Sequence, residues 1–383
     1  MPSKNRRQTA GLYIHIPFCS VKCMYCDFYS IPQREKDIPT FVDILCKEID
    51  LYSDKYPTDL PIDTIFFGGG TPSLLNKSSL YIIIEKIYSR FNLTYLKEFT
   101  IESNPGEAPK DRLNDYINLG INRLSIGFQS FDNDILKFLG RAHSSDDCFK
   151  TFENAREVGF NNINIDLIFD IPNQSLDLWK KDLEKAVNLN SEHICTYSLT
   201  VEQNTTLHKL VKSGNVIMPN EEIDVSMYQH SMNYLKENNF EQYEISNFSK
   251  KGFHCLHNLH YWELEPYYAF GPSAHGYNGD KRYWNVKNID KYFSLVSNGK
   301  LPLEGEEKLT DTNRFNELIF NGLRLAQGVP LNQLSYYTNK DIYKLLEAKI
   351  QKWNGLKINN NNLFLDGDSI LLADEIASDL FLS

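Results

Sequence analysis

Short apolar runs alternate with longer amphipathic stretches through roughly the first half of the chain. Runs rich in β-branched and aromatic residues predict strands at Leu12–Ile16, Ile62–Phe67, Phe99–Glu102, Arg123–Gly127, Ile163–Phe169 and Ile194–Leu199. Between them, apolar positions at helical spacing predict helices over Ile38–Tyr52, Ser78–Phe91, Lys110–Leu119, Asp146–Val158 and Leu176–Leu189. Strand–helix repetition predicts an α/β fold with a parallel sheet and helices outside it, and the six units fall short of the eight that close a standard barrel. In such sheets ligands are expected at the loops leaving the carboxyl ends of the strands. After Leu199 the alternation fades. Glu221–Asn239 reads as a helix, His254–Trp262 is densely aromatic, and Ala269–Gly276 is glycine-containing. From Asp311 the pattern turns helical (Thr312–Leu325, Asn339–Trp353), then shows two short strands around the Asn359–Asn362 turn and Asp366-Gly367, and a final helix over Ala373–Phe381. Three regions follow: a strand–helix domain over 1–240, a bridging segment over 241–305 that covers the mouth of the sheet, and a mostly helical, winged-helix-like domain over 306–383.

Composition narrows the class. Hydrophobic residues at 42% and charged residues at 23% are those of a soluble globular protein. A net charge of −10 excludes a general nucleic-acid binder and makes the C-terminal domain a packing or substrate-covering module. No apolar run reaches transmembrane length. The first ten residues, MPSKNRRQTA, lack the apolar centre of a secretory signal, and their short basic character gives only weak support to a transit peptide. Cys46, Cys148, Cys195 and Cys255 are scattered and do not form a disulfide framework, which points to a reducing cytoplasm.

The other three of the seven cysteines, Cys19, Cys23 and Cys26, stand in the spacing C-x3-C-x2-C, directly after the first strand and Pro17. Three soft thiolates on so short a segment suit an iron–sulfur cluster. Three cysteines on a four-iron cubane leave one iron open for chemistry. Zinc is the competing reading, with His15 as a conceivable fourth ligand, although a second C-x2-C or H-x3-H element is absent nearby. A thioredoxin-like C-x2-C would have no use for Cys19.

The stretch Tyr13-Ile-His-Ile-Pro-Phe-Cys19-x3-Cys23-x-Tyr25-Cys26 resembles the signature of the HemN/HemW group of radical S-adenosylmethionine (SAM) proteins. The resemblance implies an open (β/α)6 partial TIM-type barrel with a [4Fe-4S] cluster on Cys19, Cys23 and Cys26. It also implies SAM chelated to the open iron through its amino and carboxylate groups. One electron from the cluster would cleave SAM to methionine and a 5′-deoxyadenosyl radical.

Motifs at the strand ends agree with it. Gly68-Gly69-Gly70-Thr71-Pro72 follows the second strand, where glycines allow close backbone approach and offer N–H groups to a carboxylate. It matches the group's GGGTP motif, which implies Gly69 beside the methionyl amino group with Gly70 and Thr71 nearby. Glu102 ends the third strand, Gln129 follows the fourth, and Arg141 stands in Leu139-Gly-Arg-Ala-His143. Asp166 lies inside an apolar strand, where an unpaired charge is costly, so a buried partner is expected and Arg141 is the candidate. Matched in order to the group's SAM-contacting positions, these residues are joined by Tyr13, Tyr25 and Ser198.

Two branches of the group fit: oxygen-independent coproporphyrinogen III oxidases, which decarboxylate porphyrin propionates, and haem chaperones, which bind haem and pass it to respiratory haemoproteins. The oxidases carry a further cysteine two places after the third ligand, where this chain has Phe28. They also begin well upstream of the signature strand, whereas Tyr13 here is close to the first residue. His257-Asn-Leu-His-Tyr-Trp262 matches the chaperones' H-N-x-x-Y-W pattern. The chaperone branch is therefore expected, with coproporphyrinogen oxidase activity absent. Haem is its expected cargo, and its expected partners are recipient haemoproteins that include membrane-associated respiratory enzymes; a homodimer is also compatible. His257 is the expected haem ligand, with His260 and Cys255 as alternatives, since imidazole is an ordinary axial ligand and aromatics can pack on the macrocycle.

Overall fold

The structure, a computed structural model, describes residues 8–382, so most of the basic start read above lies outside the described residues. Each strand of the core carries one apolar row. In β1 (Ala10–Ile16) it is Leu12, Ile14 and Ile16, and in β2 (Ile62–Gly69) Ile65 and Phe67. β3 (Glu98–Ser103) supplies Phe99 and Ile101, and β4 (Arg123–Gln129) supplies Leu124, Ile126 and Phe128. β5 (Ile163–Phe169) adds Ile163, Ile165 and Leu167, and β6 (His193–Ser198) adds Ile194. All of these belong to the main apolar core, shared with helices that include α1 (Ile38–Lys55), α2 (Lys77–Arg90), α3 (Lys110–Asn118), α5 (Ser145–Glu157), α6 (Leu176–Asn188), α8 (Glu221–Glu237) and α10 (Ile289–Ser297). Two short helices, α4 (Asn133–Leu139) and α7 (Thr206–Lys212), pack into a smaller apolar cluster. Because successive side chains alternate across a strand, the inner face of the arc receives Tyr13, Phe66, Glu102, Arg123, Asn164, Asp166 and His193. Asp166, anomalous in an apolar run, is an inward residue between outward Ile165 and Leu167.

β1 to β6 pair in parallel in chain order, giving the open six-unit arc expected from the sequence. The region 241–305, expected as a cover over the mouth, instead completes both exposed edges of the sheet, as unpaired strand edges require. On one side β7 (Glu241–Gln242) and β8 (Asn247–Ser249) add antiparallel to β6. On the other, β9 (Tyr267–Phe270) adds parallel to β1. Antiparallel β10 (His275–Tyr277), β11 (Lys281–Asn285) and β12 (Leu303–Lys308) follow, making a sheet of twelve strands. Between the two additions, α9 (Leu256–Trp262) closes the amino-terminal end of the arc. Glu98 accepts from the Leu256 and His257 N–H groups at 2.8 and 3.1 Å, a carboxylate placed where the helix dipole favours it.

The C-terminal domain runs α11 (Asp311–Gly322), β13 (Val329–Pro330), α12 (Leu331–Tyr336), α13 (Ile342–Lys352), β14 (Leu356–Asn359) and β15 (Asn362–Leu365), the element order of a winged helix. Its sheet order is β13-β15-β14, over a separate core that includes Phe315, Ile319, Leu334, Leu346 and Leu363. Asn360 and Asn361 join the last two strands with φ of 47° and 64°, the positive pair that a two-residue hairpin needs and that asparagine tolerates. Among the described residues no helix is long and apolar enough to cross a membrane.

Glu48 of α1 locks the β9 edge. It accepts from Gly271 N–H at 2.9 Å, Asn285 Nδ2 at 2.6 Å and Tyr292 O–H at 2.5 Å. Burial outweighs these bonds and pushes its carboxyl from an ordinary 4.5 up to about 7. A raised folded-state pKa means the folded protein binds more protons than the unfolded chain between those values, so its share of stability is lost as pH rises through that window. Chemical-denaturation midpoints of Glu48→Gln are expected to fall less from pH 4.5 to 7 than those of the parent chain.

Candidate functional site

One cavity of about 840 Å³ opens at the carboxyl ends of the parallel strands, lined by Cys19, Cys23 and Cys26. Its walls also include Tyr25, Gly69, Gly70, Thr71, Glu102, Gln129, Arg141, Asp166 and Ser198. Thus every cluster and SAM candidate except Tyr13 reaches the same space. Tyr13 sits deeper in the arc, its hydroxyl 3.1 Å from His15 Nδ1 and its ring stacked with that of His257 at 6.4 Å.

Local chemistry fixes the thiols. Pro17 ends β1, and Gly70 N–H and Thr71 N–H, at the end of β2, donate to the carbonyls of Ile16 and Phe18, each at 2.7 Å. The contact is so close that a Cβ on Gly70 would stand 2.6 Å from the Phe18 carbonyl oxygen, which only glycine avoids. Gly69 has φ +108°, and a Cβ there would meet the His15 ring at 2.5 Å. Thr71 Oγ1 then donates to Cys19 Sγ at 3.4 Å. The rest of the loop is tied down by Met24, whose N–H donates to Leu139 and whose carbonyl accepts from Leu207 at 2.8 Å. Beneath it lies a small apolar cluster of Ile135, Leu139, Ile168, Ile171, Leu199 and Leu207, with Tyr25 packed against it.

All three thiols are free, Cys19 buried and Cys23 and Cys26 half-buried. Burial pushes the Cys19 and Cys26 thiols up, a cost that iron coordination would remove by stabilising the thiolates. Arg141 Nη1 donates to Cys23 Sγ at 3.5 Å, and the buried Ser30 hydroxyl in the same wall faces the Cys19 and Cys26 thiols and partly offsets the effect of burial on them. Among the described residues no three His, Cys, Asp or Glu side chains converge on a single metal ion. A cubane takes each thiolate at a different corner and suits this donor set better than one zinc.

The polar wall favours a ligand with positive charge. Burial first, then the charge of Asp166, pushes the Glu102 carboxyl up to about 7, although Gly69 N–H donates to it at 3.1 Å. Burial also raises Asp166, whose carboxylate accepts from Asn164 Nδ2 at 2.6 Å and Ser125 Oγ at 3.4 Å. Arg141 is not its partner, contrary to the sequence expectation. That guanidinium donates to Asn104 Oδ1, to the Gly127 carbonyl at 2.9 Å and to Cys23, so it braces the cluster loop. Gln129 interrupts the β4 ladder with a bulge and a φ of +69°, and its buried Oε1 has no partner, a strained residue presenting an open acceptor to the cavity. Ser198 Oγ donates to Asp224 at 2.7 Å.

Sequence reading passed over Asn104 and Glu107. Asn104 Nδ2 donates to Thr71 Oγ1 at 3.2 Å and Glu107 Oε2 at 2.8 Å, and Glu107 accepts from Ser20 at 3.0 Å. The Asn-Pro turn after β3 was their only signal.

His257 is not brought to this cavity. It is fully buried at the opposite end of the arc, with Nδ1 2.8 Å from Thr64 Oγ1 and Nε2 2.8 Å from Tyr261 O–H. Neither nitrogen is open to iron in this arrangement. His260 is buried on Asp63 at 2.8 Å, and Cys255 is buried with its thiol 3.5 Å from Glu98. The H-N-x-x-Y-W residues therefore form the floor of the arc.

A cavity at the open end of a (β/α)6 arc, faced by C-x3-C-x2-C and GGGTP, defines a radical SAM protein. The family model for the radical SAM superfamily matches residues 13–186, and that for the HemN C-terminal domain matches residues 309–368. The chain is 37% identical over 319 residues to the heme chaperone HemW of Bacillus subtilis, covering 83% of this chain and 84% of that protein. It is 33% identical to HemW of Escherichia coli, covering 86% of each, and 32% identical to the zebrafish mitochondrial radical S-adenosyl methionine domain-containing protein 1, covering 97% and 87%. The chain belongs to the HemW family. Among solved structures, coproporphyrinogen III oxidase (HemN) of Escherichia coli superposes with a TM-score of 0.85 at 20% identity, covering 98% of this chain and 90% of that one, which shows a common fold.

Gly70→Ala is expected to leave a folded chain with a lowered melting temperature and to lose most of the iron taken up on anaerobic reconstitution, because the added methyl meets backbone that cannot yield. Iron content and thermal melts measured together check this.

Proposed function

We propose that this chain is a haem chaperone that carries a [4Fe-4S] cluster on Cys19, Cys23 and Cys26, binds SAM in the adjoining cavity, and delivers haem to haemoproteins of the respiratory chain from the cytoplasm. The observation that carries the reading is the similarity, over most of the chain, to proteins named heme chaperone HemW. Phe28, in the place of the oxidases' further cysteine, supports it. The second reading, coproporphyrinogen III oxidase, rests on a shared fold at low identity.

When bound, the cluster would supply one electron and SAM a 5′-deoxyadenosyl group; the chain's own residues bind and orient. Gly69, Gly70 and Thr71 allow close backbone approach to the amino-acid end of SAM, their own N–H groups being taken by Glu102 and by the Ile16 and Phe18 carbonyls. Glu102 and Asp166 offer negative charge to its ammonium and sulfonium, and the Gln129 Oε1 accepts a hydrogen bond. Tyr25, Ser198 and Arg141 complete the wall, and Tyr13 backs it from within the arc. Recipient haemoproteins, membrane-associated ones among them, and a homodimer complete the proposal.

Anaerobically reconstituted protein is expected to take up haem stoichiometrically, to transfer it to an apo-haemoprotein, and to form no protoporphyrinogen from coproporphyrinogen with SAM and reductant. Porphyrinogen conversion would instead establish the oxidase. SAM affinity is expected to weaken as pH falls from 8 to 6, because protonating Glu102 removes charge that attracts the cation. Glu102→Gln is expected to bind SAM about tenfold more weakly at pH 8, roughly the loss of one charge-assisted contact, and to show a flatter pH dependence in calorimetry.

A further inference from the structure

We propose that Arg123, at the start of β4, is a positioning residue for SAM: from inside the arc its guanidinium keeps the Glu102 and Asp166 carboxylates ionised, so that they meet a cationic ligand. The inference rests on the SAM-binding reading above and concerns a residue outside the cavity wall. Arginine is almost never fully buried unless paired, yet Arg123 is 2% exposed and its Nε is buried with no hydrogen-bond partner. The strand ladder fixes where it stands. Arg123 lies opposite Thr100 of β3, and Ser125 lies opposite Glu102, so all four share the inner face. Arg123 is therefore diagonal to Glu98 on the floor side and to Glu102 on the mouth side, a span that a long side chain covers. On its other flank Ser125 lies opposite Asn164, which puts Asp166 one inward step nearer the mouth.

The guanidinium charge reaches Cys255, Glu98 and Tyr243 at the floor, and Asp166 and Glu102 toward the mouth. Glu98, Glu102 and Asp166 thus share the charge of one buried cation. Glu98 already accepts from two amides of α9, so that charge is available to the two carboxylates above it. Burial pushes both of those upward, and Arg123 opposes it. The other groups facing Glu102 are Asp166 of β5, the Gly69 N–H of β2, Tyr13 of β1 and Tyr261 of α9. Arg123 is the cation among them. Removing it raises the Glu102 carboxyl further above its ordinary value, so more of it is protonated at neutral pH and the attraction for a cation is lost there. Higher pH restores the carboxylate.

The test is calorimetric titration of SAM into the full-length, anaerobically reconstituted protein from pH 6 to 9, for the parent chain, Arg123→Met and Arg123→Lys. Arg123→Met is expected to bind SAM about tenfold more weakly at pH 7, with the midpoint of its pH dependence about one unit higher, the least that an adjacent arginine shifts a carboxylate. At pH 9 it is expected to recover most of the parent affinity, with iron content unchanged throughout. Arg123→Lys, which keeps the charge, is expected to restore most of the affinity at pH 7. In a Glu102→Gln background, adding Arg123→Met is expected to cost clearly less than it does in the parent chain. Should Arg123→Met not fold, Glu98→Gln/Arg123→Met, which removes the floor carboxylate together with the guanidinium, is expected to show the same midpoint shift. Parent-like affinity and midpoint without the guanidinium, a loss equal at pH 7 and 9, or failure of both Met variants to fold would overturn the role of Arg123 and leave SAM binding standing. A parent chain that binds no SAM would overturn both.

Discussion

The structure depends on one backbone contact, the approach of the Gly69-Gly70-Thr71 segment to the chain leaving β1. Two amides of the glycine segment satisfy the Ile16 and Phe18 carbonyls just before Cys19. Such groups would be costly to leave unpaired in a buried place. This bonding sets where the cysteine loop departs, and Thr71 continues it by donating to Cys19 itself. Everything downstream, from the Met24 bonds to the Arg141 guanidinium against Cys23, positions a loop whose root is already fixed.

Around that contact the arc separates two environments along each strand. Its outward rows make the apolar core that holds the helices, and its inward rows are polar and titratable. Buried polar groups are tolerated when bonded, and the amino-terminal end is bonded densely: Glu98 caps α9, His257 joins Thr64 to Tyr261, and His260 meets Asp63. At the carboxyl end the bonding is left incomplete. Glu102 feels the charge of Asp166 with its pKa raised, and Gln129 Oε1 is unpartnered. Within the arc, a bonded floor beneath an unsatisfied mouth leaves the polar groups open to a ligand at the carboxyl end.

Much of this was legible in the sequence, because the governing signals are short-range. The six strands, the thiolate spacing and the glycine segment each follow from neighbouring residues, and five of the crossover helices follow from their apolar period. What was not legible was set by distant partners. The two- to five-residue strands of 241–285 are too short to show a period, so edge strands read as a cover. Asp166 rightly suggested a buried partner, but Asn164 and Ser125 hold it, on its own strand and the neighbouring one, while Arg141 is drawn to Asn104. His257 lies in a motif that suggests a ligand, yet Gly11 and Thr64 on two core strands make the niche that its ring fills. The positive φ of Gln129 has no signature, since glutamine does not advertise a bulge as glycine would.

The most direct measurement is the EPR spectrum of the anaerobically reconstituted, reduced protein before and after adding SAM. In the proposed assignment, thiolates of Cys19, Cys23 and Cys26 would hold three irons of a four-iron cluster and leave the fourth open at the cavity. The expected result is about four irons per chain, an S = 1/2 cluster signal, and a clear shift of its g values when SAM coordinates that iron. A colourless zinc protein, or a cluster signal that SAM leaves unchanged at saturating concentration, would contradict it.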